Sequence, residues 1–342
     1  MNNKTIAVTG ATGYLGSWIV KKLLERGFTV NGSVRSLQRK EKYQHLLEIE
    51  KECDGKLNLF EADLLKSDSF ENGFENCDIV IHSASPFILD EKDPVKDLLE
   101  PALKGTENVL NSVNKYPSIK KVVLTSSIAA IYGDSLEIKE SPTGKFDETN
   151  WNESSNLTHI PYSYSKVMAE KKAWEMHDAQ SNWSLAVMNP GWIFGPSLTN
   201  STVSGSINIL KQLTDGKLES GVPEFYLGAV SVENVAEAHI LAALDDNFSG
   251  RCILNNQITS FLEIGNLAKK HFSSKVKTPK KELPKLLVWL FGPANGFTRK
   301  FVSKNVGYKI DFDNSRSKTK LRVKYSPVED AIIEHIKQIN NL

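Results

Sequence analysis

Three cysteines in 342 residues, Cys53, Cys77 and Cys252, are too few and too scattered for a disulfide framework or a thiolate metal site. The seven histidines show no pairing at metal-ligand spacing, so no metal is expected. Charge of one sign is also missing: 42 basic residues face 41 acidic ones. A balance of +1 leaves no electrostatic footprint for nucleic acid or a membrane surface. The longest apolar run near the C-terminus, Leu286–Phe291, is far too short to span a bilayer. It ends in Gly292-Pro293 and reads as lining a core or pocket. The opening "MNNKTIAVTG" enters a strand pattern without a basic and apolar leader, so a cytoplasmic protein is expected.

What is present is alternation. Short β-rich runs, "TIAVTG", "FTVNGSVR", "LNLFEADL", "DIVIHSAS", "KVVLTSS" and "SLAVMNP", are separated by helical stripes such as Ser17–Arg26 and Pro94–Asn114. Repeated strand–helix–strand units demand a parallel sheet covered on both faces, because each crossover is right-handed. The fold class is therefore α/β, a doubly wound Rossmann sheet with a smaller C-terminal α/β substrate domain. The expected division is residues 1–190 for the dinucleotide-binding part and 191–342 mainly for substrate. Residues 225–247 return to the first part, through Val232–Leu244.

"TGATGYLG" places Gly10, Gly13 and Gly16 directly between the first strand and the first helix. Gly10 would permit a tight turn, Gly13 would let a pyrophosphate reach backbone N–H groups, and Gly16 would let helix and sheet approach. Glycines used for packing alone are the plainer alternative. The second strand ends at Arg35, with no carboxylate before Glu41. Guanidinium and ammonium groups at Arg35 and Lys42 or Lys40 suit a ribose 2′-phosphate, hence NADPH, although a solvated basic helix start reads the same way. Asp63 could bond the adenine or cap a helix.

"YSYSK" sets Tyr162 four residues before Lys166, on the same face of a helix, while Tyr164 points elsewhere as a packing or pocket residue. A phenol serves acid–base chemistry near neutrality when a cation lowers its pKa. A hydroxyl from "TSS", Thr125–Ser127, could share the developing charge on a carbonyl oxygen. Strand end, tyrosine and lysine would then meet over a nicotinamide.

Together "TGATGYLG", "TSS", "YSYSK" and "NPGWIFGP" resemble an extended short-chain dehydrogenase/reductase. The nearer resemblance is to the dihydroflavonol reductase, cinnamoyl-CoA reductase and microbial methylglyoxal-type aldehyde reductase group. "VRS…KYQHLLE", "HSASPF", "KGTENVL", "AEKKAW", "VSVENVAEAHI" and "DFDNSRSKTKL" extend it over nearly the whole chain. The resemblance implies Ser127, Tyr162 and Lys166 as catalytic, with Ser126 second in line for the serine. It implies Gly10, Thr12, Gly13, Tyr14, Leu15, Gly16, Arg35, Lys42, Asp63 and Leu64 around adenosine and pyrophosphate. Ser83, Ala84, Ser85 and Thr125 would lie along the cofactor, with Lys166 on the nicotinamide ribose and Pro190 near the ring.

The implied activity is NADPH-dependent reduction of an aldehyde, ketone or dihydroflavonol-like carbonyl by a monomer or homodimer. Tyr132 stands where plant dihydroflavonol reductases carry asparagine, and "ETNWNESS" lacks the cysteine of the cinnamoyl-CoA group. A hydroxysteroid dehydrogenase fits the same residues. A nucleotide-sugar epimerase would want an acidic second-strand tip, and a non-catalytic NADPH-binding regulator commonly loses the tyrosine or lysine.

Overall fold

The computed structural model describes residues 4–85, 92–199 and 205–342. Among them are twelve strands: β1 (Thr5–Thr9), β2 (Thr29–Val34), β3 (Lys56–Glu61), β4 (Ile79–His82), β5 (Lys121–Thr125), β6 (Ser184–Pro190), β7 (Trp192–Phe194), β8 (Val222–Pro223), β9 (Tyr226–Ser231), β10 (Gly250–Leu254), β11 (Gln257–Ser260) and β12 (Glu282–Leu283). Seven form one all-parallel sheet in the order β10-β6-β5-β4-β1-β2-β3. Covered on both faces, these strands bury near-continuous apolar runs, as in Ile79-Val80-Ile81. The order reverses between β1 and β4, and a crevice opens beyond their carboxyl ends.

Six of the seven strands are those read from the sequence. The seventh, β10, extends the sheet from residues beyond the expected return. Its run is short and interrupted by the buried Arg251, so it gives no strand signal of its own. The helix Val232–Leu244 does return, packing against the first helix, Tyr14–Leu24.

The second lobe carries a three-stranded sheet, β11-β9-β7, and the pair β12-β8. Phe194, Leu210, Leu227, Phe261, Ile264 and Ile332 form its core together with the C-terminal helix Val328–Ile339. Leu286–Phe291 departs from the expectation of a core or pocket lining. It forms a short helix with Val288 buried, while Leu286 and Phe291 are 66% and 65% exposed. Pro284 and Gly292-Pro293 confine it to about two turns, too short to wrap around the lobe. No helix among the described residues is long and apolar enough to cross a membrane.

Candidate active site

The glycine turn stands at the point where the strand order reverses. Gly10 has φ +68°, and a Cβ there would sit 2.9 Å from Ala84 Cα at the end of β4. Its N–H donates to Ser33 Oγ at 2.9 Å. A Cβ on Gly16 would fall 2.1 Å from Gly10 O, so any side chain would push helix and turn apart. Gly13 precedes the helix in extended conformation with no side-chain cap. The backbone N–H groups of the first helical turn, from Tyr14 to Gly16, therefore have no intrahelical acceptor and suit an anion. Cradle and donors fit a dinucleotide pyrophosphate.

Thr12 is half-buried beside this turn. Tyr14 and Leu15 would offer an anion there backbone N–H groups alone, because their side chains are engaged elsewhere. The Tyr14 phenol donates to Gly195 O at 2.6 Å, and Leu15 packs in the core. Trp18 Nε1 donates to Pro196 O at 2.9 Å, so the first helix also holds "NPGWIFGP", a link the sequence did not suggest.

At the tip of β2, Arg35 and Lys42 are exposed, and their side chains have no ion-pair partner among the described residues. Glu61, paired in register with Val34, spends its carboxylate on the Leu37 N–H at 3.0 Å. Asp63 takes the local role, accepting from the Leu65 N–H at 2.8 Å in a turn rather than capping a helix. Leu64 packs over Gly105.

Beyond β4, Ser83 Oγ donates to Thr9 O at 2.8 Å, and the Ala84 N–H donates to Thr9 Oγ1 at 3.2 Å. His82 shares a 2.8 Å hydrogen bond with the Thr9 hydroxyl. Burial holds its pKa down to about 3, so it is a neutral structural group. Pro86 and Phe87 of "HSASPF" lie outside the described residues.

The "TSS" hydroxyls diverge. His239 Nδ1 donates to Val235 O at 2.7 Å, leaving Nε2 as the 2.8 Å partner of Thr125 Oγ1. Thr125 thus faces the returning helix. Ser126 donates to the Glu170 carboxylate inside the protein. Ser127, half-buried, accepts from the Ala129 N–H at 3.1 Å, and among the described residues its own hydroxyl hydrogen has no acceptor.

The helix Pro161–Asp178 follows Ile160, a β-branched residue held at φ +53°, ψ +58°. Such a residue is strained there, by roughly 1–3 kcal/mol. Pro161 with its fixed φ then opens the helix. Lys166 Nζ lies 5.5 Å from the Tyr162 ring centre and donates to Ser85 Oγ at 2.6 Å. Tyr162 and Lys166 are brought together, with Ser85 at the ammonium.

Their ionisation differs from the sequence expectation. Burial pushes the Tyr162 phenol up to about 12 and Lys166 down to about 8. Tyr162 is 38% exposed as a residue, and loss of hydration is what raises its phenol. Tyr164, two residues after Tyr162, is half-buried. Pro190 is buried at the end of β6, in register with Leu254. Phe194 belongs to the second lobe's core, and Phe225 packs at a tilt on Phe261 and stacks on Phe301.

Two relevant residues escaped sequence reasoning. Glu170 stands four residues after Lys166, a spacing that could have marked it. Arg251, its partner 81 positions away, carries no local signal.

Comparison with known proteins finds a family and several relatives. The pattern of the 3-beta hydroxysteroid dehydrogenase/isomerase family matches residues 7–258. A cinnamoyl-CoA reductase from Medicago truncatula is 36% identical over 271 residues, covering 79% of this chain and 81% of that protein. An anthocyanidin reductase from Vitis vinifera is 36% identical over 298 residues, 83% of this chain and 86% of that one. The crystal structure of yeast methylglyoxal/isovaleraldehyde reductase complexed with NADPH superposes with a TM-score of 0.79 at 27% identity, covering 98% of each chain. Fold and site define an oxidoreductase of the extended short-chain dehydrogenase/reductase type. The chain belongs to the 3-beta hydroxysteroid dehydrogenase/isomerase family.

Proposed function

We propose that the protein is an NADPH-dependent carbonyl reductase with Tyr162 as proton donor and an aldehyde or ketone as substrate. The observation that carries this reading is the Tyr162 ring beside Lys166, on a helix that packs against the turn after Ser127. Arg35 and Lys42, cations without an ion-pair partner among the described residues, support NADPH over NADH, as does the NADPH complex of the yeast relative. The first lobe would hold the coenzyme, and the segment after Pro190 would supply most of the substrate contacts.

When bound, NADPH supplies the hydride. Ser127, with its hydrogen uncommitted, donates to the carbonyl oxygen and stabilises charge building there. Tyr162 gives its proton to the same oxygen. A phenol held up at about 12 is fully protonated at neutral pH, the form that reduction needs, and it is still a stronger acid than the alcohol formed when the alkoxide takes its proton. Lys166, held near 8, remains mostly charged at pH 7 and lowers the cost of the transient phenolate. Its hydrogen bond to Ser85 fixes the ammonium where a ribose hydroxyl could join it.

Tyr132 lies in an aromatic stack, its ring centre 4.8 Å from that of Phe146. No asparagine stands at that position to meet a flavonoid hydroxyl, which supports a compact carbonyl as substrate. A hydroxysteroid is the second substrate class, supported by the family itself. The test is optical: NADPH oxidation against a panel of aldehydes, diketones, flavanonols and ketosteroids. Turnover of none of them would reject the reading.

A further inference from the structure

Glu170 is 1% exposed and lies on the catalytic helix one turn beyond Lys166. Its carboxylate accepts from Ser126 Oγ, from Asn189 Nδ2 at 2.8 Å and from Arg251 Nε at 2.6 Å. Arg251, on the outermost strand β10, is 8% exposed. Its remaining donors reach Glu148 O at 3.0 Å, Asn150 O at 2.5 Å and Ala130 O at 3.1 Å. The Trp151 ring covers the guanidinium at 3.9 Å. Asn189 also donates to Ser127 O at 3.1 Å.

One ion pair thus gathers the ends of β5, β6 and β10, the turn after Ser127, the approach to the catalytic helix and the helix itself. Stability does not call for such a device, because apolar residues of similar volume commonly replace a buried ion pair without loss. What apolar contacts lack is direction. The carboxylate and the planar guanidinium fix angles as well as distances.

We propose that Glu170 and Arg251 are positioning residues for carbonyl reduction, locking the Lys166 turn to the Ser126–Ser127 strand end. The lock sets the separation of the Ser127 hydroxyl from the Tyr162 phenol. This rests on the reductase reading above. It also explains why the strand ends in two serines: Ser126 holds the lock, and Ser127 meets the substrate.

The test replaces the pair by apolar residues, Glu170→Leu with Arg251→Met. The melting temperature is expected to match or exceed that of the unaltered protein and NADPH affinity to stay unchanged, while kcat falls roughly 100-fold, the scale of a 1 Å misplacement. A variant equally stable and equally fast would overturn the proposal. Should the pair fail to fold, Arg251→Lys keeps the charge beside Glu170 but drops the carbonyl bonds. Its kcat must fall with KM for the carbonyl unchanged, and an unaltered kcat overturns the lock.

If the unaltered protein reduces no carbonyl at all, the reductase reading fails instead. The lock is then judged from crystal structures of the NADPH complexes. A changed Ser127–Tyr162 separation in the variant supports it, and an unchanged one overturns it.

Discussion

Ser126 and Ser127 are chain neighbours whose hydroxyls do unlike work: one donates into the buried Glu170 carboxylate, the other accepts from the Ala129 N–H and retains a hydrogen to give. Their replacements should therefore fail differently. Ser127→Ala is expected to lower kcat by about 10²-fold, the usual cost of an oxyanion donor, with melting temperature near normal. Ser126→Ala should cost about 1–3 kcal/mol of stability by leaving a buried acceptor short of a partner. Steady-state kinetics beside thermal melts separate the two; a larger kcat loss from Ser126→Ala would exchange their roles.

Removing the phenol hydroxyl should stop the chemistry and spare the coenzyme. Tyr162→Phe is expected to reduce kcat by 10²- to 10⁴-fold while fluorescence titration shows NADPH binding near normal. Because Lys166 is held down to about 8, its charge is lost as pH rises through that value. The reduction rate should therefore decline above roughly pH 8. Lys166→Arg keeps a charge at every accessible pH and should remove that limb, whatever it costs in absolute rate.

Coenzyme choice should follow Arg35. Replacing it by serine removes a charged donor with no ion-pair partner among the described residues, so NADPH affinity should fall by roughly 10- to 100-fold, matching about 1.5–3 kcal/mol for a charge-assisted bond. NADH affinity should scarcely change. Parallel loss of both would refute the 2′-phosphate assignment.

Gly16→Ala tests the cradle. The added methyl carbon would lie 2.1 Å from Gly10 O, so helix and turn must separate. Both NADPH affinity and melting temperature are expected to drop. Retention of both would show that the turn has slack.

Acid should destabilise the protein through three buried histidines. His82 is held down to about 3, and His239 and His335 to about 4, each by burial. Each stays neutral in the fold while the unfolded chain takes up a proton near pH 6.5. As pH falls from about 6.5 towards 4, each withdraws up to about 1.4 kcal/mol per pH unit. Urea midpoints measured across that range should decline, and His239→Gln should flatten the decline. An unchanged slope would count against a neutral His239.

The features legible in the sequence are those with short-range causes. β-branched runs marked six strands because parallel strands buried on both faces must be apolar, and the glycine turn announced the crevice between β1 and β4. The four-residue step from Tyr162 to Lys166 is a property of any helix. What stayed hidden depends on distant partners. Nothing near Arg251 tells that its strand completes the sheet or that Glu170 awaits it. Nor does "TSS" reveal that Thr125 turns to His239 and Ser126 to Glu170. The sequence points the wrong way on the Tyr162 shift for the same reason: it displays the lysine but not the loss of hydration at the phenol. Leu286–Phe291 shows the converse limit, since an apolar run alone does not say which way it faces.

The path of the chain between its two sheets has a mechanical outcome. β6 hands over to β7 across Gly191 alone, β9 runs straight into the helix Val232–Leu244, and β10 passes to β11 through Asn255 and Asn256. Three such tight junctions work like several pins in one door, not one hinge. Swinging of one lobe against the other is thereby curbed, so a coenzyme would enter a crevice whose walls keep their spacing.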